Sequence, residues 1–375
     1  MAASSGRLIV ASILLVDLER VWRGGQEQAL LLVVGLAKRG HVAEIVAVRN
    51  SAIAARAQAA GIHVHEVSNR ARRISAARAV CRLVKQKRFD LVYGNEAHAL
   101  TAAWLARSHR HVPLVAVRRV TFPLSRSPIS LARYRAATRI LAISQAVRDA
   151  LAAAGFGEDR VEVVLDGIEI PDPIDAQTRA QARRRWGFNA EERVLALVAA
   201  LTGEKGHALL IQAFSKLRRE VPNCRLLLAG EGGLRARLEG QVREAGLESA
   251  IIFTGFLPDV ESVYAACDLF VFPSLQEGAG SSLLRAMAFG LPVLALARGG
   301  VAEIVDNGRN GVLVQEATAE AIAAEAARML RDPERMDRLG KSGRKTAAAN
   351  YSAERMVDAT AHVFERLISG ISSSR

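Results

Sequence analysis

The stretch Glu277-Gly-Ala-Gly-Ser-Ser-Leu-Leu-Arg-Ala-Met-Ala-Phe-Gly-Leu-Pro-Val293 decides the fold. It is preceded by Asp268-Leu-Phe-Val-Phe-Pro273, a short apolar run closed by proline, which predicts a buried parallel strand. Small residues then open a helix whose apolar positions recur at helical spacing, and Gly290 and Pro292 end it. The stretch therefore predicts a strand, a turn, a helix and a second strand, which is typical of an α/β protein.

The turn at residues 278–282 predicts a binding site for an anion. The first amide groups of a helix have no intrahelical partner, and the helix dipole favours negative charge at that end. The carboxylate of Glu277 lies at the lip of this turn and can accept hydrogen bonds from hydroxyl groups beside the anion. A phosphate next to a polyol is the chemistry of a nucleotide sugar.

The same stretch resembles the signature of the retaining glycosyltransferases of family 4. That signature is a glutamate, seven residues, a second glutamate, then Ala-Met-Ala, a glycine and Pro-Val. The chain matches it at Glu277, Ala286-Met-Ala288, Gly290 and Pro292-Val293, and departs from it at Arg285, where the second glutamate should stand. The resemblance runs from about residue 8 to about residue 351. It implies the GT-B fold, with two Rossmann-like, doubly wound parallel-sheet domains facing a central cleft.

Length and pattern suit two domains, since 375 residues are many for one hydrophobic core. We expect residues 1–172 to form an acceptor-binding domain and residues 173–180 to form a linker rich in proline and polar residues. Residues 181–350 would form the nucleotide-sugar domain, and residues 351–375 a helix that crosses back to the first domain. Residues 8–16 are too short an apolar run to cross a bilayer and predict the first strand.

Charge is spread unevenly over the chain. The net charge is +13, and residues 1–180 hold 26 basic against 15 acidic side chains. A basic first half suggests an anionic partner, such as a phosphorylated acceptor or the anionic inner face of the cytoplasmic membrane, although a solvated arginine-rich face remains an alternative. No nucleic-acid recognition motif is present. Three scattered cysteines without a CxxC pair suggest a reducing compartment, hence the cytoplasm, and no zinc site. The basic first half adds peripheral contact with the inner face of the cytoplasmic membrane as an option.

A basic helix is predicted between residues 70 and 89. It places Ile74, Ala77, Cys81 and Val84 on one face and carries eight positive charges. Helices of this kind lie on anionic membrane surfaces, but ordinary solvated helices have the same pattern.

Two turns of the first domain are candidate sites. Gly24 and Gly25 follow the first strand, where a glycine pair either lets a ligand approach or only permits a tight bend, and no GxGxxG motif indicates a dinucleotide. Asn95 and His98 follow another predicted strand, at the edge where parallel sheets bind ligands. The resemblance places the glycines against the donor phosphate and the acceptor, Asn95 against the acceptor, and His98 in the active site. A surface histidine at a helix start is the alternative for His98.

Arg118 and Arg119 end a further predicted strand and are candidates for binding a phosphate or an anionic acceptor. Side chains of neighbouring strand residues point to opposite faces, so only one of the two can face the cleft. Ser144 begins the next helix and is expected to cap it rather than act as a catalytic hydroxyl.

The second domain supplies a cation and two turns. Lys205 stands beside a helix start, where a point charge can stabilise a leaving diphosphate. Relatives usually carry an arginine five residues earlier, where this chain has Ala200, and we expect Arg285 to replace that charge. The resemblance places Gly230 and Phe256 against the nucleotide base, while a turn glycine and a core phenylalanine are the alternatives.

Together with the resemblance, these observations predict a retaining glycosyltransferase with a UDP- or GDP-sugar as co-substrate and no cofactor. The reaction is expected to be metal-independent, because the chain has no Asp-x-Asp triplet. Glu277, Lys205 and His98 are the expected catalytic residues. The remaining donor contacts are Gly280, Ser281, Ser282 and Arg285. The expected acceptor is a glycan or lipid-linked precursor of the cell envelope, such as lipopolysaccharide. The alternatives are a sugar-nucleotide epimerase of the same fold, and a non-catalytic relative suggested by Ala200 and Arg285.

Overall fold

The computed structural model describes residues 10–372 and divides into two compact units. The first unit extends to Gly167 and resumes at Ala353, and the second comprises Ile168–Ser352. Each unit has its own parallel sheet with helices between successive strands. The expected α/β, GT-B class is confirmed.

The first unit is built on a seven-stranded sheet in the order β3-β2-β1-β4-β5-β6-β7. Its strands are buried on both faces, as in β1, where all residues from Ile13 onward are buried, and this is why they read as continuous apolar runs. The strands are β1 (Ser12–Asp17), β2 (Val42–Val48), β3 (Val64–Val67), β4 (Leu91–Gly94), β5 (Leu114–Arg118), β6 (Arg139–Ala142) and β7 (Val161–Val163). The helices are α1 (Gly24–Lys38), α2 (Ala52–Ala59), α3 (Arg72–Lys85), α4 (Ala97–Leu105), α5 (Pro128–Arg135) and α6 (Gln145–Ala152).

The second unit has a six-stranded sheet in the order β10-β9-β8-β11-β12-β13. The strands are β8 (Arg193–Val198), β9 (Cys224–Ala229), β10 (Ile251–Gly255), β11 (Leu269–Phe272), β12 (Val293–Leu296) and β13 (Val312–Val314). The helices are α7 (Ala176–Arg185), α8 (His207–Glu220), α9 (Arg235–Glu244), α10 (Glu261–Ala266), α11 (Ser281–Ala288), α12 (Val301–Ile304), α13 (Ala319–Leu330) and α14 (Pro333–Asn350). The strand order changes direction at β8 and β11, which is where ligands bind in open α/β sheets.

The last helix, α15 (Ala353–Ser372), packs against α1 within the first unit. Gly35 allows the close approach, because a Cβ atom at this position would lie 2.5 Å from Cγ2 of Val357. An ion pair of 2.6 Å joins Arg39 to Asp358 at the same contact. The first unit is thus completed by a segment from the far end of the chain.

One expectation about local structure was wrong. Residues 173–180 are not a linker throughout, since α7 begins at Ala176 and Oδ1 of Asp175 caps it by accepting a hydrogen bond from the Thr178 amide at 2.7 Å. In α3, Ile74 is 52% exposed. The buried face of α3 is formed by Ala76, Ala77, Val80, Leu83 and Val84.

The first strand begins at Ser12, and residues 8 and 9 of the expected strand lie outside the described residues. Ser144 caps α6 as expected, because its hydroxyl accepts a hydrogen bond from the Val147 amide. Between residues 10 and 372, none of the helices combines the length and the apolar character that a bilayer crossing requires.

Candidate functional site

Lys205 and Glu277 meet at the carboxyl edge of the second sheet. Lys205 follows β8 and Glu277 follows β11, and these two strands are neighbours although the residues are 72 positions apart. The Lys205 Nζ atom donates a hydrogen bond of 2.6 Å to Oε2 of Glu277. The two side chains are 23% and 14% exposed, so the pair is shielded yet reachable from solvent. The sheet therefore brings the expected cation and the expected carboxylate to one place.

The turn that carries Lys205 is tied to the end of β11. Gly206 has φ +73° and lies so close to the neighbouring chain that a Cβ atom would be 2.0 Å from the carbonyl oxygen of Pro273. The amide of Leu275 donates to the Glu204 carbonyl at 2.8 Å, and the hydroxyl of Ser274 donates to the same oxygen at 3.1 Å. Lys205 is thus positioned by a close backbone contact that only glycine allows.

Glu277 is held by its own turn. Its Oε1 atom accepts a hydrogen bond of 3.2 Å from the Gly278 amide, and Ser274 lies 3.4 Å from Oε2. Its backbone carbonyl accepts from the Gly300 amide, and a Cβ atom on Gly299 would lie 2.1 Å from that carbonyl oxygen. These contacts fix the direction of the carboxylate before any ligand arrives.

Helix α11 starts four residues beyond Glu277, at Ser281. Gly280 has φ +92°, a left-handed conformation that favours glycine, and Ser281 and Ser282 are the first helical residues. No side-chain hydrogen bond caps this helix start, so its first amide groups can bind an anion. Arg285 lies one turn further along α11 and is half-buried.

Gly230 and Phe256 stand at the carboxyl ends of β9 and β10. Gly230 has φ +143°, and a Cβ atom there would lie 2.0 Å from the carbonyl oxygen of Ala199, so close packing of two strand ends requires a glycine. Phe256 is 54% exposed, so the alternative of a core phenylalanine is wrong. An exposed aromatic ring at this edge of the sheet is available to stack on a planar ligand.

In the first unit, Asn95 and Arg119 belong to a buried hydrogen-bond network. Asn95 is 3% exposed and donates from Nδ2 to Asp17 at 2.6 Å and to the Gly25 carbonyl at 3.0 Å. Arg119 donates to Oδ1 of Asn95 at 2.9 Å and forms an ion pair with Asp166 at 3.2 Å. Burial raises the pKa of Asp17, against hydrogen bonds that lower it. The network connects the ends of β1 and β4 to the start of α1.

The remaining residues of this edge differ in what they contact. Gly24 and Gly25 are the first residues of α1 and neither has a positive φ, so a tight bend does not explain them. A Cβ atom on Gly25 would approach Cδ of Arg119 at 3.9 Å, which is ordinary contact. Arg118 is largely buried and donates to the Phe122 carbonyl. The two arginines thus have different surroundings.

His98 lies in the first turn of α4. Its Nδ1 atom accepts a hydrogen bond of 2.9 Å from Nε of Arg73, and its Nε2 atom is 3.9 Å from Glu19. Burial and the nearby arginines lower the pKa of His98, so the ring is neutral at pH 7. Both readings of His98, a helix-start histidine and an active-site contact, fit this position.

Sequence reasoning gave no role to Glu96, which lies between Asn95 and His98. Glu96 caps α4 by accepting hydrogen bonds from the His98 and Ala99 amides. It also accepts from the Leu18 amide at 3.2 Å, and burial raises its pKa to about 7. Its place directly before a helix was the available signal. Asp17 and Asp166 were also missed, since their role depends on partners far away in the sequence.

Comparison with known families covers both units. Residues 22–170 match the family described as Glycosyltransferase Family 4, and residues 178–346 match the family described as Glycosyl transferases group 1. The two segments together span well over half of the chain. The chain belongs to these glycosyltransferase families.

Individual relatives share about 30% sequence identity with this chain over part of its length. A GDP-mannose-dependent alpha-(1-6)-phosphatidylinositol monomannoside mannosyltransferase of Mycolicibacterium smegmatis is 30% identical, over 56% of this chain and 57% of the relative. A 2-deoxystreptamine glucosyltransferase of Streptomyces kanamyceticus is 29% identical, over 68% and 67%. The chain spans about half to two thirds of the length of the curated relatives it matches. The crystal structure of HepE from Anabaena in complex with UDP-glucose is similar in fold, with a TM-score of 0.83, 24% identity, and coverage of 95% of this chain and 100% of that one.

Proposed function

We propose that the protein is a retaining glycosyltransferase that moves a sugar from a nucleotide-diphosphate sugar to a glycan or lipid-linked acceptor of the cell envelope. The observation that carries the proposal is the pairing of Lys205 with Glu277 at the edge where β8 and β11 end. Family membership and the likeness to a fold that holds UDP-glucose in HepE support it.

The donor would replace the ion pair with two separate contacts. Its diphosphate is a stronger anion than one carboxylate and would take the ammonium group of Lys205 together with the amides at the start of α11. Glu277, released from Lys205, would accept hydrogen bonds from the sugar hydroxyls. Both groups are already fixed by their turns, so little reorganisation is needed as the leaving group gains charge. Lys205 and the amides would therefore serve as a charge-stabilising site that works without a bound metal.

The proposed reaction keeps the anomeric configuration of the sugar, as the resemblance to the retaining family implies. In the proposed reaction the bond between the anomeric carbon and the diphosphate breaks while the acceptor oxygen bonds to the same face. The departing phosphate oxygen takes the acceptor proton. Glu277 would hold the sugar hydroxyls rather than form a covalent intermediate, with Oε1 held by the Gly278 amide and Oε2 beside the Ser274 hydroxyl.

The acceptor is assigned to the first unit. His98 presents a neutral imidazole there, just after β4. Arg118 lies at the end of β5, the strand that pairs with β4. Helix α3 adds an exposed basic surface with an apolar side chain, Ile74, flanked by Arg73 and Arg78. A surface of this kind binds anionic lipid headgroups, which suits a lipid-linked acceptor at a membrane. The name of the mycobacterial relative, which includes a phosphatidylinositol mannoside, is consistent with such an acceptor.

The first experiment measures release of the nucleotide diphosphate from a panel of UDP- and GDP-sugars, with and without a membrane lipid extract. A transferase releases the nucleotide slowly by itself and faster with its acceptor. The variant Glu277→Gln should lose the release, because the amide carries no negative charge and replaces one acceptor oxygen with an NH2 donor. The matched control Glu316→Gln changes an exposed carboxylate of the same unit and should keep the rate. EDTA should leave the rate unchanged.

The proposal fails if no donor is turned over, or if Glu277→Gln reacts as fast as the wild type. Failure with every donor would favour the non-catalytic alternative, which Ala200 and Arg285 motivate. The double variant Ala200→Arg/Arg285→Glu tests whether Arg285 supplies the charge that position 200 lacks. Equal or better donor binding would support the exchange, and loss of donor binding would contradict it.

A further inference from the structure

A second cluster of polar side chains lies in the first unit, away from the residues of the proposed reaction. Glu44 is on β2, His65 is on β3, and His63 directly precedes β3. One ligand atom from each of the three lies within 4.8 Å of the other two. His65 Nε2 is 2.5 Å from Oε2 of Glu44, and the two imidazole rings are 4.6 Å apart between centroids.

The backbone explains why these three side chains meet. His65 pairs in register with Val46, and residues two positions apart on a strand point to the same face of the sheet. Glu44, His63 and His65 are therefore directed to one side at the start of the edge strand. Each offers a nitrogen or oxygen donor, and His63 is exposed while the other two side chains are each 13% exposed.

We propose that Glu44, His63 and His65 bind one divalent transition-metal ion of the zinc, cobalt or nickel class. Two imidazoles and one carboxylate are a ligand set that such ions take, with water completing the coordination at the open side. The exposed His63 leaves that side accessible to solvent. On binding, the ion would replace the proton now shared between His65 and Glu44.

The electrostatics of the cluster suit a cation. The carboxylate of Glu44 places a negative charge directly beside His65. The charged groups around it are Glu44 and Arg88, whose guanidinium is 3.7 Å from the carboxylate. Arg88 is half-exposed on a flexible side chain and can turn to solvent when an ion takes its place. Phe89 packs against His65 from the side and holds the ring.

Comparison with another cluster of the first unit supports the choice of Glu44, His63 and His65 as the metal ligands. Glu19, Glu96 and His98 also lie within 4.8 Å of one another. There, however, the Glu96 oxygens accept hydrogen bonds from backbone amides, and Nδ1 of His98 accepts from Arg73. Arg72, Arg73 and Arg133 all lower the pKa of His98 by their charge, which also opposes a metal cation. Beside the cluster of Glu44, His63 and His65, by contrast, Arg88 contacts the carboxylate rather than an imidazole nitrogen.

A bound ion would join the edge strand β3 to β2 and so stabilise the sheet. Glu44 pairs in register with Leu14, three residues before the end of β1, so the cluster lies toward the amino-terminal ends of the strands. It is therefore separate from the residues at the carboxyl ends. The predicted role is structural, and the proposal does not depend on the proposed function.

The test uses the full chain without a histidine tag, stripped with EDTA and dialysed. Calorimetric titration with ZnCl2 should show one ion per chain, and CoCl2 should give the visible absorption bands of coordinated cobalt. The thermal midpoint should rise with zinc concentration, because the ion binds only the folded state. His63→Ala, at an exposed position, should weaken zinc binding at least tenfold. Even the loss of a group that only supports a metal ligand lowers metal affinity about 10- to 100-fold.

His111→Ala is the matched control, because it removes another exposed histidine of the same unit outside the cluster. It should bind zinc as the wild type does and show the same thermal shift. A second variant, Glu44→Gln, should also lose the cobalt bands. The proposal is overturned if zinc gives no saturable one-to-one binding, or if His63→Ala binds with wild-type affinity.

Discussion

Removing the ammonium group of Lys205 is the sharpest test of the site in the second unit. In Lys205→Ala, Glu277 keeps its hydrogen bonds to Gly278 and Ser274 but loses its only ion-pair partner at 2.6 Å among the described residues. The diphosphate of the donor loses a cation at the same time. The substitution should therefore affect both stability and turnover.

The structure sets the size of both effects. At 2.6 Å, Coulomb attraction is worth roughly 6 kcal/mol at an effective dielectric constant of about 20 and roughly 2 kcal/mol at about 80. Desolvation of the two groups offsets most of it, so Lys205→Ala should lower the free energy of unfolding by about 1–3 kcal/mol. Loss of one charge-stabilising group at a leaving group should reduce turnover by about 100- to 1000-fold.

The assay is nucleotide diphosphate release at saturating donor, with urea unfolding of the same preparations. The control is Lys216→Ala, on α8 of the same unit, whose ion pair with Glu320 is of similar length at 2.9 Å but exposed to solvent. Exposed pairs contribute little, so this variant should match the wild type in both measurements. If Lys205→Ala turns over donor at the wild-type rate, Lys205 does not neutralise the leaving group and the reasoning is refuted.

Three further predictions concern the supports of these sites. Gly206→Ala should lower both the thermal midpoint and donor turnover, since its Cβ atom would collide with backbone at 2.0 Å; Gly233→Ala, where nothing lies within 4 Å, should change neither. Arg119→Ala should lower the free energy of unfolding by about 3–5 kcal/mol in urea because it leaves Asp166 buried without its cation, and a change below 1 kcal/mol would contradict this. Glu96 has a folded-state pKa raised to about 7 by burial, above its unfolded value, so its ionisation should destabilise the fold progressively between about pH 4.5 and 7. The free energy of unfolding should fall less steeply with pH in Glu96→Gln than in the wild type across that range. Equal slopes for the two proteins would show that Glu96 does not cause this pH dependence.

Local structure was predictable where the physics is local. The bounds of β2, β9, β10 and β12 follow from short apolar runs ended by glycine, proline or polar residues. The cap formed by Ser144 follows from a side chain that competes for free amides at a helix start. The linker prediction failed at Asp175. This residue caps α7 in the same way, but among prolines and polar residues it was taken as part of a coil.

Burial and partners were harder to predict. Ile74 is exposed although Ala77 and Val84 of the same predicted face are buried, because the buried face of α3 is chosen by the helix and strands it packs on. Arg119 was expected to bind an acceptor, and the structure engages its guanidinium with Asn95 and Asp166. Whether it also contacts an acceptor stays a prediction. Phe256 is exposed because β10 is the edge strand of its sheet.

The amino-acid sequence by itself determined the alternation of strands and helices, the parallel sheets and the small-residue turn before α11, since each depends on neighbours within one or two turns of chain. Tertiary structure alone decided that Lys205 meets Glu277 and that His65 meets Glu44. The physical reason is strand order, which places β11 beside β8 and β3 beside β2. Order is set by how the whole sheet buries its apolar faces, and no local pattern of residues carries that information.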